Sequence, residues 1–125
     1  MTTSTLAWHF TGADKLRNGD SIPAVGKWLT YIGPIKWCKS GLYASLTPWD
    51  ALQYANGPFL NRVKCQDIDK QDDAKFVCRR RKIIQRKDIS ELLRKFARQQ
   101  ALSCIHLWNA HTAVKKYLET GNPKL

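Results

Sequence analysis

The sequence predicts an α+β fold: a small, mostly antiparallel sheet with one mid-chain helix and C-terminal helices packed on it. Three observations carry that expectation. Short apolar, β-branched and aromatic runs of strand length fill most of residues 5–84. A single helix start, Thr47-Pro48-Trp49-Asp50, interrupts them. Apolar residues at helical spacing then follow Asp88. At 125 residues, 43% hydrophobic and 25% charged, the chain has the size and composition of one folded domain spanning 1–125.

Thr5 to Phe10 (TLAWHF) reads as the first strand, ended by Thr11-Gly12. Residues 18–26 (NGDSIPAVG) read as loop. Lys27 to Ile32, Ile35 to Cys38 and Leu42 to Ser45 read as short strands, the first two separated by the turn Gly33-Pro34. At Thr47 the hydroxyl suits an N-cap, Pro48 the first helical position and Asp50 the positive helix end. That helix stops near Ala55, before Asn56-Gly57-Pro58. Phe59 to Gln66 alternates as a strand does, Asp67 to Ala74 is a polar turn, and Lys75 to Ile84 is the returning strand. Asp88-Ile89-Ser90-Glu91 opens the longest helix like a capping box. Ile89, Leu92, Leu93, Phe96, Ala97 and Leu102 form its core-facing stripe. Cys104 to Trp108 fits either a continuation of that helix or a last strand. Thr112 to Thr120 is a final helix, ended by Gly121 with Pro123 beyond.

No run approaches the roughly 18 apolar residues of a membrane helix, and Met1 to Thr5 lacks the basic start of a signal peptide. A cytoplasmic protein is expected. Cys38, Cys65, Cys78 and Cys104 are widely spaced, and no Cys/His set has zinc-ligand spacing. Their apolar neighbours predict four reduced core thiols. No metal is implied.

Charge points to partners. The chain carries 21 Lys and Arg against 10 Asp and Glu, net +11. Residues 59–98 hold thirteen basic and six acidic side chains. A field of this sign attracts nucleic acid, an anionic membrane surface or an acidic protein, and the expected partner is nucleic acid or an acidic protein surface, not a membrane. At its centre is Arg79-Arg80-Arg81-Lys82, followed by Arg86, Lys87, Arg94, Lys95 and Arg98. In a strand, Arg79 and Arg81 share one face, Arg80 and Lys82 the other. An unpaired buried guanidinium is prohibitive, so this strand is expected at an edge, beyond the sheet, or against Asp67, Asp69, Asp72 and Asp73. A hairpin with 59–66 would bring Arg62 and Lys64 beside it. Arginine forks match phosphate oxygens, and Trp28, Tyr31, Trp37 and Trp49 are candidates to stack on bases. The nine cations from Arg79 to Arg98 are therefore the candidate polyanion site.

Trp8-His9-Phe10-Thr11-Gly12-Ala13-Asp14-Lys15-Leu16-Arg17, Ser40-Gly41-Leu42-Tyr43-Ala44-Ser45, Trp49-Asp50-Ala51-Leu52-Gln53-Tyr54-Ala55 and Ala97-Arg98-Gln99-Gln100-Ala101-Leu102 together resemble a family of short phage and bacterial proteins, over roughly Leu6 to Tyr117. Members often carry histidine at the position of Tyr43, and acidic residues where this chain is basic in its middle. The phage resemblance implies an inhibitor of a host defence complex, acting on nucleic acid or a nucleoprotein in the host cytoplasm. The same blocks distantly resemble the ADP-ribosyltransferase fold. That likeness implies NAD as ligand, with His9 on the nicotinamide ribose and Tyr43 or Tyr54 stacked on nicotinamide. Those enzymes also use a glutamate on a late strand. Here the glutamates are Glu91 and Glu119, both in expected helices. A binding protein rather than an enzyme is the expectation.

Overall fold

The computed structural model describes residues 3–16, 18–107, 109 and 111–122. Arg17, Trp108 and Pro123, named above, lie outside the described residues. The chain divides into two compact units, Met1–Asp88 and Ile89–Leu125. The α+β expectation holds: an antiparallel sheet of five strands, one mid-chain helix and two C-terminal helices.

In the first unit the strands are β1 (Thr5–Thr11), β2 (Trp28–Thr30), β3 (Leu42–Ala44), β4 (Phe59–Gln71) and β5 (Phe76–Asp88). The order is β1-β4-β5-β2, and β3 also pairs with β5. Just past β3, Ser45 exchanges two backbone hydrogen bonds with Trp8, at 2.7 and 2.9 Å. That bridge carries the sheet from β5 back to β1. Ala7, Ala44, Val63, Cys65, Phe76, Cys78 and Ile83 form the core. Gly41 has φ +107°, and a Cβ there would run into Val77 Cγ2, so only glycine lets β3 lie this close to β5. Helix α1 (Pro48–Leu52) starts as expected: Thr47 Oγ1 accepts from the Asp50 N–H at 3.1 Å, and Pro48 opens the helix.

Several expectations need correction. First, Ile35 to Cys38 is no strand. The N–H groups of Lys39 and Ser40 both donate to the Lys36 carbonyl, and Cys38 sits at φ +65°. An extended strand cannot accommodate that φ. Second, β4 does not end at Gln66. Asp67, at φ +59°, precedes a register shift between Ile68 and Lys70, and pairing continues to Gln71. The turn shrinks to Asp72–Ala74.

Third, the basic segment is not at an edge. β5 is flanked by β4 on one side and by β2 and β3 on the other, and Arg81 is only 6% exposed. Its neighbours are not the aspartates expected. Arg79 donates to the Gly33 carbonyl, Arg80 to Gln66 Oε1, Arg81 to the Tyr43 carbonyl, and Arg86 to the carbonyls of Gly12 and Ala13. Neutral carbonyls and indole faces satisfy guanidinium donors without a carboxylate. Fourth, of the four free cysteines only Cys65 and Cys78 are buried, whereas Cys38 and Cys104 are exposed. Burial and the mutual thiol contact split the inner pair: Cys65 is pushed up, chiefly by its hydrogen bond with Cys78, and Cys78 is lowered by the same bond.

The Asp72 carboxylate closes the hairpin by accepting from the N–H groups of Ala74 and Lys75, each at 2.8 Å. These bonds, Lys75 first, hold its pKa below the ordinary 3.8. Its contribution is therefore present above pH 3.8 and is lost as pH falls through the lower folded value. A melting series from about pH 6 to about pH 2.5 should show this loss in the native protein and lack that component in Asp72→Asn, which keeps an acceptor but cannot titrate.

The second unit holds α2 (Ser90–Ser103), a single 3-10 turn (Ile105–Leu107) and α3 (Thr112–Thr120). The N-cap is not the Asp88 of the expected capping box. Asp88 is still in β5, paired with Phe59, and Ile89 takes the N-cap position without a side-chain cap bond. The expected apolar stripe is only half covered: Leu92 is 62% exposed, Ala97 is exposed, and no α2 residue is fully buried. Gly121 ends α3 in the left-handed conformation, at φ +75°. It abuts the Arg98 guanidinium so closely that a Cβ would collide with it. No described helix is long and apolar enough to cross a membrane.

Candidate nucleic-acid interface and cavity

The nine predicted cations do not form one surface. Arg94, Lys95 and Arg98 belong to α2 in the second unit, where Arg98 packs on Gly121. Arg94 lies 4.0 Å from Glu91, an exposed pair. Within the first unit, Arg79 and Arg86 tether the loops at Gly33 and at Gly12–Ala13, Arg81 is buried, and Lys87 is exposed near the end of β5.

Arg80 and Lys82 remain, and register supplies their company. Lys64 of β4 stands opposite Lys82, which in turn faces Trp28 of β2. Gln66 stands opposite Arg80, and Arg62 opposite Trp8. Strand alternation puts Arg62, Lys64, Arg80, Lys82, Trp8 and Trp28 on one sheet face. The Arg62 guanidinium carbon lies 4.3 Å from the Trp8 ring centroid. Arg80 and the Lys82 ammonium lie 4.5 and 4.9 Å from that of Trp28. Lys64 and Lys82 are like charges directly across two strands, an arrangement that costs stability. Among the described residues neither lies within ion-pair distance of a carboxylate. The hairpin did bring Arg62 and Lys64 alongside, as the alternation in 59–66 indicated.

These positions separate the arginines by experiment. Arg81→Glu is expected to unfold the protein, because it buries a carboxylate against the Tyr43 carbonyl. Arg80→Glu should leave the fold intact, since its side chain is partly exposed. Circular dichroism melts of the two single variants check this, and equal melting points would refute it.

On the other constellation the structure brings the predicted residues together. His9 from β1, Tyr43 from β3 and Tyr54 just after α1 line one cavity of about 510 Å³, within the usual range for small-molecule sites. Asn61, fully buried beneath β1, donates to the His9 carbonyl at 2.9 Å and to Thr11 Oγ1 at 3.1 Å, which fixes this end of the strand. The Tyr43 hydroxyl accepts from the Cys38 N–H at 2.7 Å and lies 3.0 Å from the Ser40 carbonyl, so it also anchors the 36–40 loop.

Three cations that sequence reasoning did not assign to this place line the same cavity: Lys39, Lys75 and Arg81. The Lys75 ammonium lies 3.0 Å from Cys38 Sγ and 4.6, 5.1 and 5.2 Å from the ring centroids of Tyr54, Tyr43 and Trp37. Burial works against its charge, but the Cys38 sulfur and the two tyrosine oxygens outweigh it, so the Lys75 pKa is raised. Burial lowers that of Arg81, although a guanidinium keeps its proton at any ordinary pH. Among the described residues no Asp or Glu lines the cavity, and Glu91 and Glu119 lie in helices of the second unit. Among the described residues no group of three His, Cys, Asp or Glu side chains is placed to hold a metal ion.

Compared with known proteins, the chain matches no family model, no curated protein and no solved structure.

Proposed function

We propose that the protein is a nucleic-acid-binding protein, not an enzyme, and that it grips phosphates with Arg62, Lys64, Arg80 and Lys82. The observation that carries this reading is the Lys64–Lys82 pair, directly opposed and without a carboxylate partner among the described residues. A fold tolerates such a local cost where a ligand repays it. Arg62 and Arg80 add flat guanidinium surfaces, held against Trp8 and Trp28, on which bases stack. An inhibitor of a host defence nucleoprotein would use this face to occupy a nucleic-acid channel.

The test is binding of a labelled single strand and a duplex of equal length across a salt series. Each phosphate contact contributes about −0.7 (single strand) to −0.9 (duplex) to the slope of log affinity on log salt. Four cations thus give a slope of roughly −3 to −4. A salt-independent affinity would remove the phosphate contacts from this face, and equal competition by polyglutamate would replace nucleic acid with an acidic protein partner.

A second reading is favoured by the convergence of His9, Tyr43 and Tyr54 on one cavity. It is an ADP-ribosyltransferase-like pocket that takes NAD without catalysing transfer, because among the described residues no carboxylate lines it. A ligand that prefers the folded state raises the melting midpoint. Millimolar NAD should therefore shift it, and an unchanged midpoint refutes this reading.

A further inference from the structure

We propose that the cavity is a site for an anionic nucleotide of the nucleoside diphosphate class, anchored by Lys75 and Arg81, and that it disfavours the cationic ring of NAD. This rests on the second reading for the cavity as a ligand site, and is independent of the sheet face.

Charge carries the inference. Lys39, Lys75 and Arg81 reach the cavity, and among the described residues no carboxylate does. Arg81 is 6% exposed, and the partner of its Nη1 is a neutral carbonyl, that of Tyr43. A carbonyl satisfies a donor but does not neutralise a buried charge. An anion in the adjoining cavity does. Phosphate oxygens suit both groups, the guanidinium as a fork and the ammonium as a point charge.

The aromatic walls sharpen the choice. Tyr43 and Tyr54 would stack on a flat heterocycle. Both rings already hold the Lys75 ammonium near 5 Å. A pyridinium brought against either ring would meet a like charge at that range. A neutral base with a diphosphate meets none, and its phosphates gain the lysine instead. The raised pKa of Lys75 keeps the anchor charged throughout the neutral range.

The test is calorimetric titration of the full chain with ADP, adenosine and NAD, repeated on Lys75→Met and Lys82→Glu. ADP is expected to bind at least about tenfold more tightly than either NAD or adenosine, the size of effect one charge-assisted contact gives. Lys75→Met should remove that advantage and leave adenosine binding unchanged. Lys82→Glu should leave ADP binding unchanged. Should Lys75→Met fail to fold, Lys75→Arg keeps the charge and should retain the advantage of ADP over adenosine, and its loss there would overturn the proposal.

NAD binding more tightly than ADP overturns the proposal and leaves the NAD reading standing. Adenosine equal to ADP also overturns it, since the anchor would then be idle. An equal loss of ADP binding in Lys82→Glu places the diphosphate on the sheet face and overturns it too. Failure of all three ligands to bind refutes the cavity as a nucleotide site altogether.

Discussion

Asn61→Asp is expected to cost about 3–5 kcal/mol, the range for a buried charge left without compensation. The change is nearly isosteric, so packing is not the cause. Asn61 is fully buried. Its amide nitrogen faces the carbonyls of His9 and Phe59 and the hydroxyl of Thr11, at 2.9, 3.3 and 3.1 Å. A carboxylate oxygen in that place meets two carbonyl oxygens and, at best, one hydroxyl able to turn and donate. Its other oxygen takes the position of Asn61 Oδ1, which has no hydrogen-bond partner among the described residues. Arg86, opposite Asn61 in the β4–β5 register, sends its guanidinium to the carbonyls of Gly12 and Ala13 instead.

The pH dependence gives the mechanism away. Burial among acceptors raises the pKa of the introduced group above that of the unfolded chain. The folded variant then binds the extra proton, so its deficit is largest at high pH and shrinks as pH falls through the raised value. Asn61→Ala removes the donor without adding a charge, and should cost about 1–3 kcal/mol with no such pH dependence. Urea unfolding of both variants at pH 7 and at pH 5 is the measurement. An aspartate variant no worse than the alanine one would mean that the buried amide does not hold β1 through the His9 carbonyl.

Local signals were legible in this chain, and long-range compensation was not. Thr47, Pro48 and Asp50 announce α1 because capping is settled within four residues. Phe59 to Gln66 announces β4 because alternation is local too. Asp67 hides the strand's extension: nothing in DIDKQ shows that one left-handed residue will absorb the irregularity and let pairing resume.

The run Arg79–Lys82 misleads for a different reason. A guanidinium argues against a central strand only if its donors go unmet, and the carbonyls that meet them come from Gly33 and Tyr43, roughly forty residues away. The cavity divides the same way. His9, Tyr43 and Tyr54 stand in blocks whose resemblance to the ADP-ribosyltransferase fold implied a shared site, and they line one cavity. Lys75 stands in none. It enters because the hairpin turn sets it above three rings and a thiol, a coincidence of tertiary structure with no trace in spacing.

Lys82→Glu should move stability and nucleic-acid binding in opposite directions. In the native protein Lys82 faces Lys64 across the β4–β5 ladder. Reversing one charge turns a repulsive cross-strand pair into an attractive one, a gain of about 0.2–1 kcal/mol. Trp28 keeps a cation on its ring, since Arg80 lies 4.5 Å from the centroid. The melting point should therefore rise. Binding should fall, because one phosphate contact is lost and a repulsive carboxylate replaces it. The salt slope should drop by about one unit, and affinity at about 0.1 M salt by tenfold or more. Lys64→Glu combined with Lys82→Glu recreates like charges across the strands, so the stability gain should vanish while binding falls further. This pattern separates a binding face from a merely solubilising one. Charge kept only for solubility has no reason to sit in directly opposed pairs at a cost to the fold, and its reversal would leave binding where it was. A rise in melting point with unchanged nucleic-acid affinity would therefore remove the phosphate role from this face. A fall in melting point would show that the two lysines do not repel, and with that the ground for placing the partner there is gone.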